Sequence, residues 1–223
     1  FRTRLDILRL DLFLRIAPEL YLKRLLVGGF EKVFEIGKSF RNEGVDRDHN
    51  PEFTMLELYW AYQDREGMMK FWEELLVELF SKFSSNKSRT DRVYQGKNFS
   101  LKRPWARVSF AELLHQEVGL DYDSASAEKL RRAGQAKGLE FDGGLTKGKI
   151  ADEIFKKLAI PKILNPTFVV DHPLEISPLA KKLNNDPAHV ARFQLIVGGM
   201  EIVNAFSELN DPVDQKQRFE EQM

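Results

Sequence analysis

Phe40-Arg41-Asn42-Glu43-Gly44, followed by His49-Asn50-Pro51-Glu52-Phe53-Thr54-Met55-Leu56-Glu57, is the stretch that decides the fold. It is preceded by the aromatic and branched run Lys32-Val33-Phe34-Glu35-Ile36, and residues 53–62 continue in the same character, while residues 41–50 are polar and contain Gly44. Two such runs around a polar segment predict antiparallel strands joined by a long loop. Side chains alternate along a strand, so Phe53, Met55, Glu57, Tyr59 and Ala61 are expected on one face and Leu56, Leu58, Trp60 and Tyr62 on the other. The first set is a candidate site and the second a candidate core. An arginine at a strand end can grip a phosphate or carboxylate with two prongs, His49 can meet further phosphate charge, and Phe53 offers a flat surface to a base. The same residues would equally make a surface Arg–Glu pair at a hairpin end with Phe53 in a core.

Outward from the hairpin, Leu20, Tyr21, Leu25 and Leu26 recur at helical spacing, with Pro18 suited to a first turn and Gly28-Gly29 to a stop, which predicts a helix over 17–27. A second helix is expected over 66–83, ending in a polar turn at 84–88. A short strand pair is expected around 93–101 and 106–108. Residues 110–118 then open a charged helical region running to about 158, read as an inserted helical subdomain over about 110–160. Segments 166–170, 174–176, 193–197 and 201–206 are strand-like, and 212–222 is an amphipathic helix. Strands at both ends with helices grouped between them predict an α+β fold on an antiparallel sheet flanked by helices, not alternating parallel units.

The 223 residues carry 34 Lys plus Arg against 34 Asp plus Glu and no cysteine. The length suits one large domain. Without thiols there is no disulfide framework, thiolate metal site or cysteine nucleophile, so a cytoplasmic location is expected. The nearly uncharged stretches 195–200 and 166–170 fall far short of the ~20 residues that cross a bilayer, so no membrane partner is expected. A neutral total means that nucleic acid would have to be bound by local basic patches. His115 and His189 are expected to be exposed or capping, and no histidine spacing suggests zinc. Gly143-Gly144 with Lys147-Gly148-Lys149 lacks the order of a phosphate loop and predicts a turn before a helix.

The Arg41-Asn42-Glu43 strand end, the variable loop, and then His49 and Phe53 resemble the second signature motif of class II aminoacyl-tRNA synthetases. Longer strings are similar to the lysyl-tRNA synthetase family: Leu14-Arg15-Ile16-Ala17-Pro18-Glu19-Leu20-Tyr21-Leu22, Asp171-His172-Pro173-Leu174-Glu175-Ile176-Ser177-Pro178-Leu179-Ala180, and Asn204-Ala205-Phe206-Ser207-Glu208-Leu209-Asn210-Asp211-Pro212. The resemblance covers nearly the whole chain after Leu5. It implies a class II aminoacyl-tRNA synthetase-like catalytic domain with a helical insertion, which activates L-lysine with ATP and charges tRNA(Lys), as a homodimer in the intact protein.

By the same resemblance Arg41 is the catalytic charge stabiliser, touching the α-phosphate and the lysine carboxylate. His49 faces the distal phosphates, Phe53 stacks on adenine, and Glu43 and Asn50 complete the ATP site. Glu208 and Tyr59 receive the ε-ammonium, Glu19 the α-ammonium and Asn204 the carboxylate, while Phe206 lines the stem and Glu57 adds to an acidic floor. A buried acceptor for the ammonium is what the physics requires, since an unpartnered cation would lose its hydration for nothing. Glu201 matches a carboxylate that helps hold Mg²⁺, and Gln194 stands where much of the family has Glu, which removes one negative charge.

The family's third motif is expected beyond Met223. The first motif is expected before Leu5, with residues missing at the Arg4–Leu5 junction, and the anticodon-binding domain lies outside the chain. The chain therefore reads as part of a longer enzyme. Two alternatives carry other functions: a lysyl-transferring modifier of an elongation factor, whose family tends to read Asn-Gly-Glu where this chain has Asn42-Glu43-Gly44, and a noncatalytic paralogue acting as a binding module.

Overall fold

The structure, a computed structural model, describes residues 1–46, 49–83 and 90–222; the turn expected at 84–88 lies outside the described residues. The chain forms two compact units, Phe1–Gln63 and Asp64–Met223.

In the first unit, β1 (Arg2–Leu5) and β2 (Leu10–Phe13) pair antiparallel, and β1 runs through Arg4 and Leu5. Helix α1 (Glu19–Val27) stops at Gly28 and Gly29, the latter at φ 100°, a conformation that glycine adopts without steric cost. Strands β3 (Lys32–Phe40) and β4 (Glu52–Trp60) pair in unbroken antiparallel register from Lys32↔Trp60 to Phe40↔Glu52, so the expected hairpin and its long loop are present. The face expected to be core is the more open of the two, although Leu58 and Trp60 on it are half-buried. Phe53, Met55, Glu57 and Tyr59 are half-buried on the side that α1 covers, with Lys23 Nζ 5.8 Å from the Tyr59 ring centroid. On the face expected to be core, Phe34 is 69% exposed, Ile36 65% and Leu56 37%, and Tyr62 leaves the strand at φ 62°. Alternation separates two sets of residues and is silent on which set a helix covers.

The second unit opens with α2 (Arg65–Lys82), a hairpin of β5 (Asp91–Tyr94) and β6 (Lys97–Ser100), and β7 (Ala106–Ser109). Then come α3 (Phe110–Val118), α4 (Ala127–Ala136), α5 (Lys147–Ile154), β8 (Thr167–Pro173), β9 (Lys182–Leu183), β10 (Asp186–Val197), β11 (Met200–Phe206) and α6 (Pro212–Gln222). The main sheet has the order β11-β10-β8-β7, with β9 beside β10. Its pairings are antiparallel except β7 with β8, which is parallel. Parallel neighbours need a long crossover, and the helices α3 to α5 supply it. This corrects two expectations: the sheet is not purely antiparallel, and Ala106–Ser109 joins it instead of pairing with the 91–100 hairpin. Residues 174–176 form a 3-10 turn, not a strand, with Ser177 N donating to Leu174 O at 3.0 Å just after Pro173. Strand β10 begins at Asp186, seven residues before the expected 193, because Asp186-Pro187-Ala188-His189 does not read as a strand.

Helices α2 to α5 each start on a side-chain cap: Asp64, Ser109, Ser126 and Thr146 accept from the backbone N–H three residues on. One sheet face, with Phe168, Phe193, Leu195 and Val203, packs on Met69 of α2 and Trp105; the other, with Val169 and Ile196, packs on Phe110, Leu130, Ile150 and Phe155 of the crossover. His115 is exposed on α3, whereas His189 is buried on β10, its Nδ1 2.7 Å from Asp186 Oδ2 and its Nε2 3.5 Å from Asp123 Oδ1.

Gly134 sits inside α4, where a β-carbon would lie 2.5 Å from Phe141 Cζ and 3.2 Å from Ile154 Cγ1. Alanine would gain helix propensity but overpack the core, so Gly134→Ala is expected to destabilise by about 1–3 kcal/mol. Urea denaturation checks this, and a stabilised variant would show that Phe141 yields without cost.

Candidate active site

On the first unit the register sets Ser39 opposite Phe53, Gly37 opposite Met55, Glu35 opposite Glu57 and Val33 opposite Tyr59. Arg15 lies across this face. Its Nη1 pairs with Glu35 Oε1 and its Nε donates to Lys38 O at 2.8 Å, while a β-carbon at Gly37 would sit 2.2 Å from Nη2. Residue 37 is therefore bare so that a guanidinium can cross the strand, and a glycine inside a strand was the sequence signal for it.

Tyr59 donates its hydroxyl to Glu57 Oε2 at 3.0 Å, and Lys23 Nζ lies 2.5 Å from Glu19 Oε1. Burial pushes the Glu57 carboxyl above the ordinary range; the Tyr59 hydrogen bond opposes this, Glu19 adds to it, and Arg41 and Lys23 oppose it. Glu19, Glu57, Tyr59 and Arg41 thus share one electrostatic neighbourhood.

The loop end is held by its backbone, with Arg41 N donating to Pro51 O at 2.9 Å. The Arg41 side chain turns back, donating from Nε to Ile16 O at 3.3 Å, and places Cζ 5.2 Å from the Phe53 ring centroid. His49 Nδ1 is 2.8 Å from Asp46 Oδ1, and its Nε2 is 4.0 Å from Glu43 Oε2. Asn50 is exposed next to it.

On the second unit β10 and β11 set Arg192 opposite Phe206 and Gln194 opposite Asn204. The register then shifts: Leu195 faces Val203, but Ile196 faces Glu201, and Ile202 is the extra residue of a bulge. Simple alternation would send Glu201 to the side away from Asn204; the bulge returns it to the Gln194 side. There Gln194 Nε2 donates to Glu201 Oε2, and Gln194 Oε1 accepts from His172 Nε2 at 2.8 Å. Solvent still reaches Glu201, yet its carboxyl is packed deeply enough that burial pushes it above the ordinary range, against the pull of Arg192, Lys156 and the Gln194 hydrogen bond.

His172 packs against Phe110 and Phe155, ring centroids 5.6 and 6.4 Å away. Burial, reinforced by the charge of Arg192, holds the imidazole down to about 3, so it is neutral with its proton on Nε2. Its turn toward Gln194 follows from Asp171, a non-glycine residue at φ 55° whose carboxylate meets Arg65 Nη1 at 2.5 Å. Asn204 Oδ1 accepts from Arg192 Nε at 3.0 Å, and Glu208 makes a backbone bridge with Ala180.

As a metal site the Gln194–Glu201 pair does not fit by itself. Gln194 turns its amide nitrogen to Glu201 and its oxygen to His172, leaving one carboxylate as a hard-oxygen donor. Among the described residues no group of three His, Cys, Asp or Glu side chains could hold an ion.

A family model described as "tRNA synthetases class II (D, K and N)" matches residues 1–223. The chain belongs to this family of class II tRNA synthetases. Its mixed sheet with helices on both faces is the α+β class II synthetase fold expected above. This synthetase chain is 50% identical over 227 residues to a lysine–tRNA ligase of Pelotomaculum thermopropionicum, covering 100% of the chain and 44% of that protein. It is 47% identical over 224 residues to one of Moorella thermoacetica and 50% identical over 223 residues to one of Roseiflexus sp., covering 100% of the chain and 45% of each relative. The chain thus spans less than half the length of these curated relatives. Among its described residues no helix is long and apolar enough to cross a membrane.

Proposed function

We propose that the protein carrying this chain is a lysine–tRNA ligase, which joins L-lysine to ATP as lysyl-adenylate and then transfers the lysyl group to the 3′ end of tRNA(Lys). The observation that carries the reading is the end of the β3–β4 hairpin, with Arg41 stacked over Phe53 and the Glu57–Tyr59 pair farther along the same face. The name shared by relatives at 47–50% identity supports it.

In the first step a lysine carboxylate oxygen attacks the α-phosphorus in line, the bond to the bridging oxygen breaks, and pyrophosphate leaves with the electron pair. Arg41, always charged, holds the α-phosphate and the carboxylate as negative charge shifts between them; it moves no proton. In the second step the terminal ribose hydroxyl attacks the lysyl carbonyl, and AMP and the hydroxyl proton leave.

Phe53 stacks on adenine, His49 meets the distal phosphates, and Glu43 and Asn50 border the adenosine. Glu208 and Tyr59 accept the ε-ammonium over the negative charge of Glu57; Glu19 takes the α-ammonium, Asn204 the carboxylate, and Phe206 the stem. Glu201, held by Gln194, would be the one hard-oxygen ligand this pair offers to a magnesium ion, which would supply positive charge to the triphosphate. The working assembly is a homodimer in the cytoplasm.

Lysine-dependent ATP–pyrophosphate exchange by the full-length protein tests the reading. Lysine binding without exchange would make it a binding module, and exchange without charging of tRNA(Lys) would make it a modifier of another acceptor. Glu208→Gln is expected to raise KM for lysine roughly 10- to 100-fold with KM for ATP little changed, because a neutral amide no longer pairs with the ammonium. Equal losses for both substrates would remove Glu208 from lysine selection.

A further inference from the structure

Arg218 of α6 is only 5% exposed, although it is charged. Each of its three nitrogens donates. Nε donates to Asp214 Oδ1 at 2.9 Å and Nη2 to Asp214 Oδ2 at 2.6 Å, and Nη1 donates to Pro178 O at 3.0 Å and Ala180 O at 2.7 Å. Lys182 Nζ joins Asp214 Oδ1 at 3.1 Å. A guanidinium buried this deeply keeps its place only where every prong meets an acceptor.

The two carbonyls it grips belong to the segment that holds the backbone at Glu208. Ala180 makes the isolated bridge with Glu208, Leu209 N donates to Leu179 O at 3.1 Å, and Lys181 N donates to Ser207 O at 2.8 Å. The far side of residue 207 is tied as well, Ser207 N donating to Ala191 O at 2.9 Å. Residues 178–181 are therefore layered between the Arg218 guanidinium and the 207–209 backbone. The backbone at Glu208 is thus tied to the helix through this layer.

We propose that Arg218, oriented by Asp214, is a positioning residue for amine recognition: it fixes the 178–181 layer and thereby the place of the Glu208 carboxylate, without touching lysine. The proposal rests on the reading of Glu208 as the ammonium acceptor. It separates Arg218 from an ordinary structural arginine, whose loss would weaken both substrates alike.

The test is a double-mutant cycle in the full-length protein, reading KM for lysine and for ATP and kcat in ATP–pyrophosphate exchange for Arg218→Met, Glu208→Gln and the pair. Circular dichroism and thermal melting establish that each variant folds. Arg218→Met is expected to raise KM for lysine about 10-fold or more with KM for ATP within about twofold, since small misplacements of a binding group cost up to about 100-fold. In the Glu208→Gln background the same change is expected to add almost nothing, because the carboxylate it positions is already gone.

If Arg218→Met does not fold, Asp214→Asn, which removes the orienting carboxylate and keeps the guanidinium, is read in the same cycle. Glu208→Gln without effect on lysine overturns the reading of Glu208 and this proposal with it. Glu208→Gln with its full effect, together with an Arg218 effect that is absent, falls equally on ATP or persists undiminished in the pair, overturns the proposal alone.

Discussion

Arg41→Ala is expected to slow adenylate formation about 100- to 1,000-fold, the scale seen when one preorganised donor to developing charge is removed. The local geometry suggests that this loss would be chemical and not structural. The hairpin end is closed by backbone, Arg41 N to Pro51 O, and the nine paired positions of β3 and β4 do not depend on the side chain. Truncation uncovers one face of Phe53 and takes a donor from Ile16 O, both on a partly exposed surface. It also removes one of the cations that restrain Glu57, whose carboxyl should rise further. Arg41→Lys should recover only part of the rate, because a point charge lacks the planar fork. Single-turnover adenylate formation at saturating lysine and ATP is the measurement, and an unchanged rate would remove Arg41 from the chemistry.

The second large effect is acid lability centred on His172. Its folded-state value of about 3 lies below the ordinary 6.5, so as pH falls below 6.5 the unfolded chain takes up a proton that the folded one refuses. Stability is therefore complete above about pH 6.5 and is lost continuously toward pH 3, at about 1.4 kcal/mol per pH unit once the unfolded imidazole is charged. Between pH 6.5 and 5, before most carboxylates titrate, the expected loss is about 1–2 kcal/mol. His172→Asn removes the titrating group and should flatten that part of the curve at the cost of lower stability throughout. Urea unfolding at several pH values decides it; a wild-type curve as flat as that of the variant would mean that His172 picks up its proton without unfolding.

Much of this was legible in the sequence wherever local chemistry dictates local form. The hairpin of β3 and β4 follows from branched and aromatic runs around a polar loop, α1 from periodicity ending in two glycines, and α3 from the helical region expected to open at residue 110. What stayed hidden depends on partners distant in the chain. The parallel β7–β8 pair joins residues about sixty apart, and the early start of β10 is masked by Asp186-Pro187-Ala188-His189. Site residues named by family likeness could be numbered, but not the groups that hold them. Arg15 over Gly37, His172 behind Gln194, and Arg218 behind residues 178–180 are side chains whose partners are remote in sequence. Nothing in the amphipathic pattern of 212–222 marks Arg218 as buried, since a buried arginine is recognisable only once its acceptors are in place.

The extra residue at Ile202 gives this region an unusual kind of fragility. Glu201 meets Gln194 because Ile202 is tucked out of the ladder between it and Val203, not because of its own place in the alternation. A slip at constant length that drew Ile202 into the ladder opposite Ile196 would rotate the acid to the opposite side, whereas deleting that residue would leave the acid two positions from Asn204 and still on the Gln194 side. Which side the acid takes is thus decided by pairing and not by composition, and grafts or chimaeras that cross this segment must preserve the tucked conformation of residue 202 before they preserve its letter.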